Sequence, residues 1–173
     1  MSLLERLARG TPEERLEANE VLMELAAAGA LTLEPPFEGE LVRSLGERFG
    51  TEPLLLRMGL YFCLQAMGEG AVEALPGLVR ALEDPRNDCR IQAAELIAGL
   101  GPHVASVTTE LVEALCDEAR SDVREQVASA LAAVHFDPDE LERHPSPYVR
   151  EGARLVRQKR SNQKTIRDQA PSS

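Results

Sequence analysis

The stretch RIQAAELIAGLG at 90–101 decides the fold, because two other parts of the chain repeat its pattern. The segments RMGLYFCLQAMG at 57–68 and REQVASALAAVH at 124–135 begin with the same arginine and carry apolar residues in the same register. The leading arginines are 33 and 34 residues apart. Apolar residues spaced three and four apart predict helices, and a period of this length predicts a stack of similar helical units.

Weaker copies of the same block lie at both ends of the chain. One begins at Arg15, and VREGARLV at 149–156 follows only 26 residues after Arg124. Amphipathic segments at 38–49, 71–82 and 105–116 precede the three regular blocks. The predicted unit is therefore a helix A, a turn and an arginine-led helix B. Such a hairpin cannot bury both apolar stripes alone, so neighbouring hairpins must stack.

Helix boundaries are marked by caps, prolines and glycines. Residues 11–14 read TPEE, a capping box with proline at the first helical position. Pro76 is expected to kink the helix over 71–82 or to lie in its first turn. Residues 30–37 are expected to form an extended connector, and 137–143 can make two helical turns at most. Altogether we predict nine or ten helices and no strand.

The repeat resembles a known family. The segment LVRALEDPRNDCR at 78–90, followed by Ala93, Ala94 and Ile97, is similar to the HEAT pattern, and Asp122-Val123-Arg124 matches it again. The short period resembles the bacterial HEAT-like, or bilin-lyase-type, subclass. Ankyrin and tetratricopeptide repeats share the period, but their signature residues are missing.

The resemblance implies an all-α fold, a right-handed α-solenoid of about five HEAT-like helical hairpins (an α-α superhelix). Three hairpins over about 52–134 fit well, 1–28 fits loosely, and 144–158 is a truncated cap. We therefore expect a single repeat domain over 1–158. The remaining segment, 159–173, is basic and polar, and we expect it to be disordered.

Charge and composition narrow the possible partners. The net charge is −10, but it divides into −15 for residues 1–149 and +5 for 150–173. An acidic body repels nucleic acid and anionic membranes.

Three cysteines, no signal peptide and no apolar span predict a cytoplasmic protein, and 17 arginines against 2 lysines favour a bacterial source. The basic tail is either a frayed terminus or an electrostatic tether to an acidic partner, to RNA or to its own acidic body.

Residues that could carry chemistry do not form a recognisable centre. The histidines have no second ligand at helical spacing for a metal, no histidine lies near a cysteine in sequence, and the acid clusters fall at helix starts or on solvated faces. The prediction is no enzyme, no metal and no cofactor. The histidines and cysteines considered are His103, His135, His144, Cys63, Cys89 and Cys116.

The arginines that open the B helices have two interpretations. They form either an anion-binding ladder or a structural ladder, in which each arginine binds an aspartate or a carbonyl at the turn between repeats. We favour the structural ladder. Its arginines are Arg57, Arg90, Arg124 and Arg150, and the candidate partners are Asp84, Asp88, Asp117 and Asp122.

A partner-binding face is predicted on the B helices, which usually line the concave surface of a solenoid. Positions one and five residues after each arginine form an apolar patch with an acidic rim, unless they pack against one another. We therefore predict a protein-interaction scaffold or adaptor. The alternatives are a nucleic-acid-binding HEAT-like protein or, from the resemblance alone, a bilin-lyase-like enzyme. The predicted face comprises Met58, Phe62, Ile91, Glu95, Glu125 and Ser129.

Overall fold

The computed structural model describes residues 1–117, 121–134 and 136–169. Within these ranges the protein is all-α, as predicted, and contains no strand. The described residues form ten α-helices and two 3₁₀ segments, Gly68–Ala74 and Gly101–Val107. The α-helices are α1 Leu3–Arg9, α2 Pro12–Ala27, α3 Gly39–Phe49, α4 Leu54–Met67, α5 Leu75–Ala81, α6 Asn87–Gly99, α7 Thr108–Asp117, α8 Ser121–Ala133, α9 Pro138–Glu142 and α10 Pro147–Gln169.

Consecutive helices pair into five hairpins that stack as an α-solenoid. Each odd-numbered helix contacts the even-numbered helix that follows it. The even-numbered helices, which are the B helices, contact one another in chain order from α2 to α10. The predicted fold class is therefore confirmed. The last hairpin is short because α9 has only five residues.

The helix starts follow their local signals. The Thr11 hydroxyl accepts a hydrogen bond from the Glu14 backbone N–H at 3.2 Å, and the Glu14 carboxylate accepts one from the Thr11 N–H at 2.8 Å. This is the predicted capping box, and it satisfies two N–H groups that would otherwise lack partners. Pro76 lies in the first turn of α5, where its missing N–H costs no hydrogen bond. The predicted helix over 71–82 is accordingly divided into a 3₁₀ segment and α5.

Two glycines allow neighbouring A helices to touch through their backbones. A β-carbon added to Gly77 on α5 would lie 2.3 Å from the carbonyl carbon and oxygen of Gly46 on α3. Any side chain at either position would force these helices apart. The contact between α2 and α4 is also close, because a β-carbon at Gly59 would lie 2.0 Å from Asn19 Oδ1.

The C-terminal helix crosses the predicted end of the repeat domain without a break. α10 continues to Gln169, so residues 159–169 are helical where the sequence predicted a disordered tail. The first two residues of this continuation contact the body: Lys159 Nζ lies 2.7 Å from Glu125 Oε1, and Arg160 donates to the Phe136 carbonyl. Residues 170–173 lie outside the described residues, and the domain boundary at 158 stays a prediction.

Candidate protein-interaction surface

The ladder arginines Arg57 and Arg124 reach across to the next B helix. Arg57, which is fully buried on α4, donates from Nε to Gln92 Oε1 at 2.9 Å and pairs with Asp88, both on α6. Arg124 on α8 lies 3.0 Å from Glu151 Oε2 on α10, and its guanidinium carbon is 5.2 Å from the ring centre of Tyr148. These arginines join successive hairpins.

Arg90 and Arg150 also bind carbonyls in the turn of their own hairpin. Arg90 Nη1 donates to the Asp84 carbonyl at 2.8 Å. Arg150 Nη1 donates to the His144 carbonyl at 2.8 Å and to the Pro145 carbonyl at 2.7 Å. All four arginines therefore have protein partners, which supports the structural interpretation. The side chains of Asp117 and Asp122 lie outside the described residues.

A fifth arginine, which the sequence analysis did not select, links the turns of two hairpins. The backbone N–H and Nε of Arg86 each donate to Asp84 Oδ1 at 2.8 Å, and its Nη2 donates to Oδ2 at 2.8 Å. Arg86 also donates to the carbonyls of Gly50 at 2.7 Å and Glu52 at 3.0 Å. The guanidinium of Arg86 lowers the pKa of Asp84 to about 2. The Asp-Pro-Arg turn thus binds the preceding A–B turn.

The apolar residues of the predicted face differ in their contacts between α4 and α6. Met58 and Phe62 are half-buried and are not among the apolar residues that pack against the buried core. Ile91, by contrast, does pack against that core. Gln92 Nε2 lies 3.1 Å from Met58 Sδ, and the rings of Tyr61 and Phe62 meet edge to face with centres 5.5 Å apart. The α4 residues are thus the accessible part of the predicted apolar patch.

The α8 residues of the predicted face are engaged within the protein. Glu125 pairs with Lys159, and the Ser129 hydroxyl donates to the Glu125 carbonyl at 3.0 Å. The first contact joins the basic segment after residue 158 to the acidic body, which is one of the alternatives given for that segment above.

Two exposed leucines extend the accessible patch beyond the prediction. Leu54 and Leu55 open α4 with 54% and 59% of their surfaces exposed. Helical spacing places Leu55, Met58 and Phe62 on one side of α4. In the sequence, the run of three leucines at 54–56 was the feature that could have indicated this exposed apolar surface. We call Leu54, Leu55, Met58 and Phe62 the α4 stripe.

A groove lies between the C-terminal halves of α4 and α6. Its cavity volume is about 100 Å³, and the Tyr61 hydroxyl donates to Glu95 Oε2 there at 3.0 Å. Burial raises the pKa of the Tyr61 phenol, and the hydrogen bond to Glu95 raises it further. Glu95 therefore lines a recess beside the stripe. The α4–α6 groove is lined by Tyr61, Leu64, Gln65, Gly68, Glu95, Leu96 and Gly99.

The described cysteines are placed as core residues. Cys63 and Cys89 are buried, and burial raises the pKa of the first thiol to about 12 and of the second to about 11. A neutral buried thiol is a poor nucleophile. The side chain of Cys116 lies outside the described residues.

The two described histidines contact different partners. His103 Nε2 lies 3.7 Å from Glu69 Oε2, whereas His144 Nδ1 accepts from the Ser146 N–H at 3.2 Å. His135 lies outside the described residues. In the part of the chain that is described, no three metal-binding side chains come together. Likewise, none of the described helices is long and apolar enough to cross a bilayer.

Comparisons with known proteins give a fold and no family. No family model matches the chain, and none of the curated proteins matches its sequence. A designed armadillo repeat protein in complex with the peptide (KR)4 is similar in structure, with a TM-score of 0.53 and 17% identity over 91% of this chain and 80% of that one. The MAST/Orbit N-terminal domain is similar with a TM-score of 0.54 and 16% identity, over 98% and 89% of the two chains. The protein therefore has the fold of the armadillo and HEAT-type helical repeat solenoids.

Proposed function

We propose that this protein is a non-enzymatic interaction scaffold that binds a segment of a partner protein on the face formed by α4 and α6. The α4 stripe carries the proposal. Four large apolar side chains lie together on one helix, two of them more than half exposed. Contiguous exposed apolar residues of this kind are typical of docking surfaces.

Charge defines the chemistry of the partner. Residues 1–149 carry −15, and among the described residues Glu95 has no cationic partner. The partner segment is therefore an amphipathic helix or loop, with apolar residues for the α4 stripe and basic residues on its flanks. The complex of the designed armadillo protein with a basic peptide supports the idea that this architecture can hold such a segment.

The same observations argue against the alternatives. The acidic body opposes binding to the phosphate backbone of nucleic acid, and the described cysteines and histidines do not form a nucleophile–base pair. We extend the proposal to a cytoplasmic location and to the HEAT-like, bilin-lyase-type subclass, which rests on the Asp-Pro turn and the 33–34 residue period.

The test is affinity selection followed by a matched pair of variants. Displayed 16-residue peptides are selected on the immobilised full chain, and the affinities of the recovered peptides are measured by fluorescence anisotropy. Phe62→Glu places a charge in the α4 stripe and should weaken binding at least tenfold. Val21→Glu makes the same change at an exposed apolar residue of α2 and should weaken it less than twofold. If both variants bind like the wild type while remaining helical by circular dichroism, the proposed face is wrong.

A further inference from the structure

The α4–α6 groove opens where two B helices end side by side. Leu64 and Gln65 belong to the last turn of α4, and Leu96 to the last turn of α6. The C-terminal end of a helix carries a partial negative charge from its aligned peptide dipoles and unpaired carbonyls. The groove therefore collects the negative ends of two helices.

Arginines compensate this charge in three A helices but not in α4 or α6, and the A helices α7 and α9 also end without a basic residue. The A helices α1, α3 and α5 each carry arginine in their last turn. The B helices α2, α4, α6 and α8 carry no basic residue there. Cations in the last turn are the usual complement to the dipole, so α4 and α6 lack the complement that α1, α3 and α5 have.

A carboxylate in the groove adds a full negative charge. Glu95 is half-buried and accepts a hydrogen bond from the Tyr61 hydroxyl, which is a neutral donor. The ladder cation Arg57 lies one turn before Tyr61 and is matched by Asp88. At the end of the groove, Glu69 follows Gly68, and its carboxylate lies 3.7 Å from His103 Nε2. The balance of charge around the groove is negative.

The remaining lining residues suit an aliphatic chain. Leu64 and Leu96 supply apolar walls, and the glycines leave room: a β-carbon at Gly68 or Gly99 would meet nothing within 4 Å. Lysine and arginine bury their methylene stems on apolar surface while the charged head makes polar contacts. The shape and charge of the groove match such a side chain.

We propose that the α4–α6 groove receives a lysine or arginine side chain of the partner, with its charged head at Glu95 and its stem between Leu64 and Leu96. The proposal rests on the proposed function, because the side chain belongs to the segment that covers the α4 stripe. Under this proposal, the groove itself recognises one basic residue of the partner segment, beyond the general attraction of the negatively charged body.

The probe is a dye-labelled octapeptide of alternating lysine and arginine, titrated with the full chain at low salt and followed by anisotropy. Glu95→Gln should weaken its binding about tenfold or more, since hydrogen bonds to charged groups contribute about 1.5–3 kcal/mol. Glu47→Gln removes the same charge from an exposed position on α3 and should weaken it less than twofold. Gly99→Leu fills the groove and should weaken binding as Glu95→Gln does, without lowering the melting temperature.

The outcomes separate this proposal from the proposed function. The groove proposal would be overturned if Glu95→Gln and Glu47→Gln weakened binding equally. It would also be overturned if Gly99→Leu bound the octapeptide like the wild type, or if the wild type did not bind it. If Phe62→Glu abolishes binding of the selected peptides while Glu95→Gln leaves it unchanged, the groove fails and the scaffold function stands. If Phe62→Glu has no effect but Glu95→Gln weakens the octapeptide, the groove stands and the α4 face fails.

Discussion

Replacing Asp84 by asparagine tests whether the Asp-Pro-Arg turn stabilises the solenoid. Asp84 accepts three hydrogen bonds from Arg86, and Arg86 binds the Gly50 and Glu52 carbonyls of the preceding hairpin. Asparagine keeps the size and one acceptor oxygen but removes the negative charge. The charge-assisted contact is lost, and Arg86 is no longer held against both turns.

The lowered pKa of Asp84 gives the size of the expected loss in unfolding free energy. A decrease from 3.8 to about 2 corresponds to about 2.5 kcal/mol at about 1.4 kcal/mol per pH unit, and solvent screening of the partly exposed Arg86 reduces this to about 1–2 kcal/mol. Because the pKa is lower in the folded state, this stability is fully present above pH 4. It is lost as the pH falls from about 4 towards 2.

The assay is urea unfolding of wild type and Asp84→Asn at pH 7 and pH 3, followed by circular dichroism. We expect a free-energy difference of about 1–2 kcal/mol at pH 7, equivalent to a melting temperature lower by about 2–8 °C, and about half that difference at pH 3. Glu83→Gln, at the exposed neighbouring position, should change stability by less than about 0.5 kcal/mol. An Asp84→Asn difference that is unchanged between pH 7 and pH 3 would refute the reasoning.

Three further predictions concern packing and ionisation. Gly77→Ala should lower stability by about 1–3 kcal/mol in thermal unfolding, since the added methyl meets the α3 backbone; unchanged stability would show that α3 and α5 are farther apart. Glu95→Gln should lower the pKa of Tyr61, measured by NMR of its ring, because a charged acceptor and its Coulomb field are removed; an unchanged or higher pKa would exclude the hydrogen bond. Cys63 and Cys89 should resist alkylation in the folded protein and react in urea, as mapped by mass spectrometry; rapid labelling without urea would contradict their burial.

Much of the fold was predictable because its signals are local. The capping box at 11–14, the first-turn position of Pro76 and the shortness of α9 depend only on residues within one or two turns. The register of the repeat was also readable, since the arginines recur at the start of each B helix. The continuation of α10 past residue 158 was not predicted. That continuation involves contacts with Glu125 and the Phe136 carbonyl, which are distant in sequence.

The candidate site was only partly predictable. Met58 and Phe62 were found from the helical period, because the period determines which residues share a face. It does not determine what that face meets: Ile91 packs against the core, while Leu54 and Leu55 remain exposed. The groove depends on the positions of two helix ends in neighbouring hairpins and has no signature in either segment alone.

The sequence by itself determined the helices, their caps, the pairing into hairpins and the arginine at the head of each B helix. Only the tertiary structure decided that Arg57 binds Gln92 of the next hairpin and that Arg90 binds the Asp84 carbonyl of its own turn. It also decided that Gly46 and Gly77 bring two A helices into backbone contact. Helix formation depends on neighbours three and four residues away, whereas these contacts depend on how one hairpin stacks on the next.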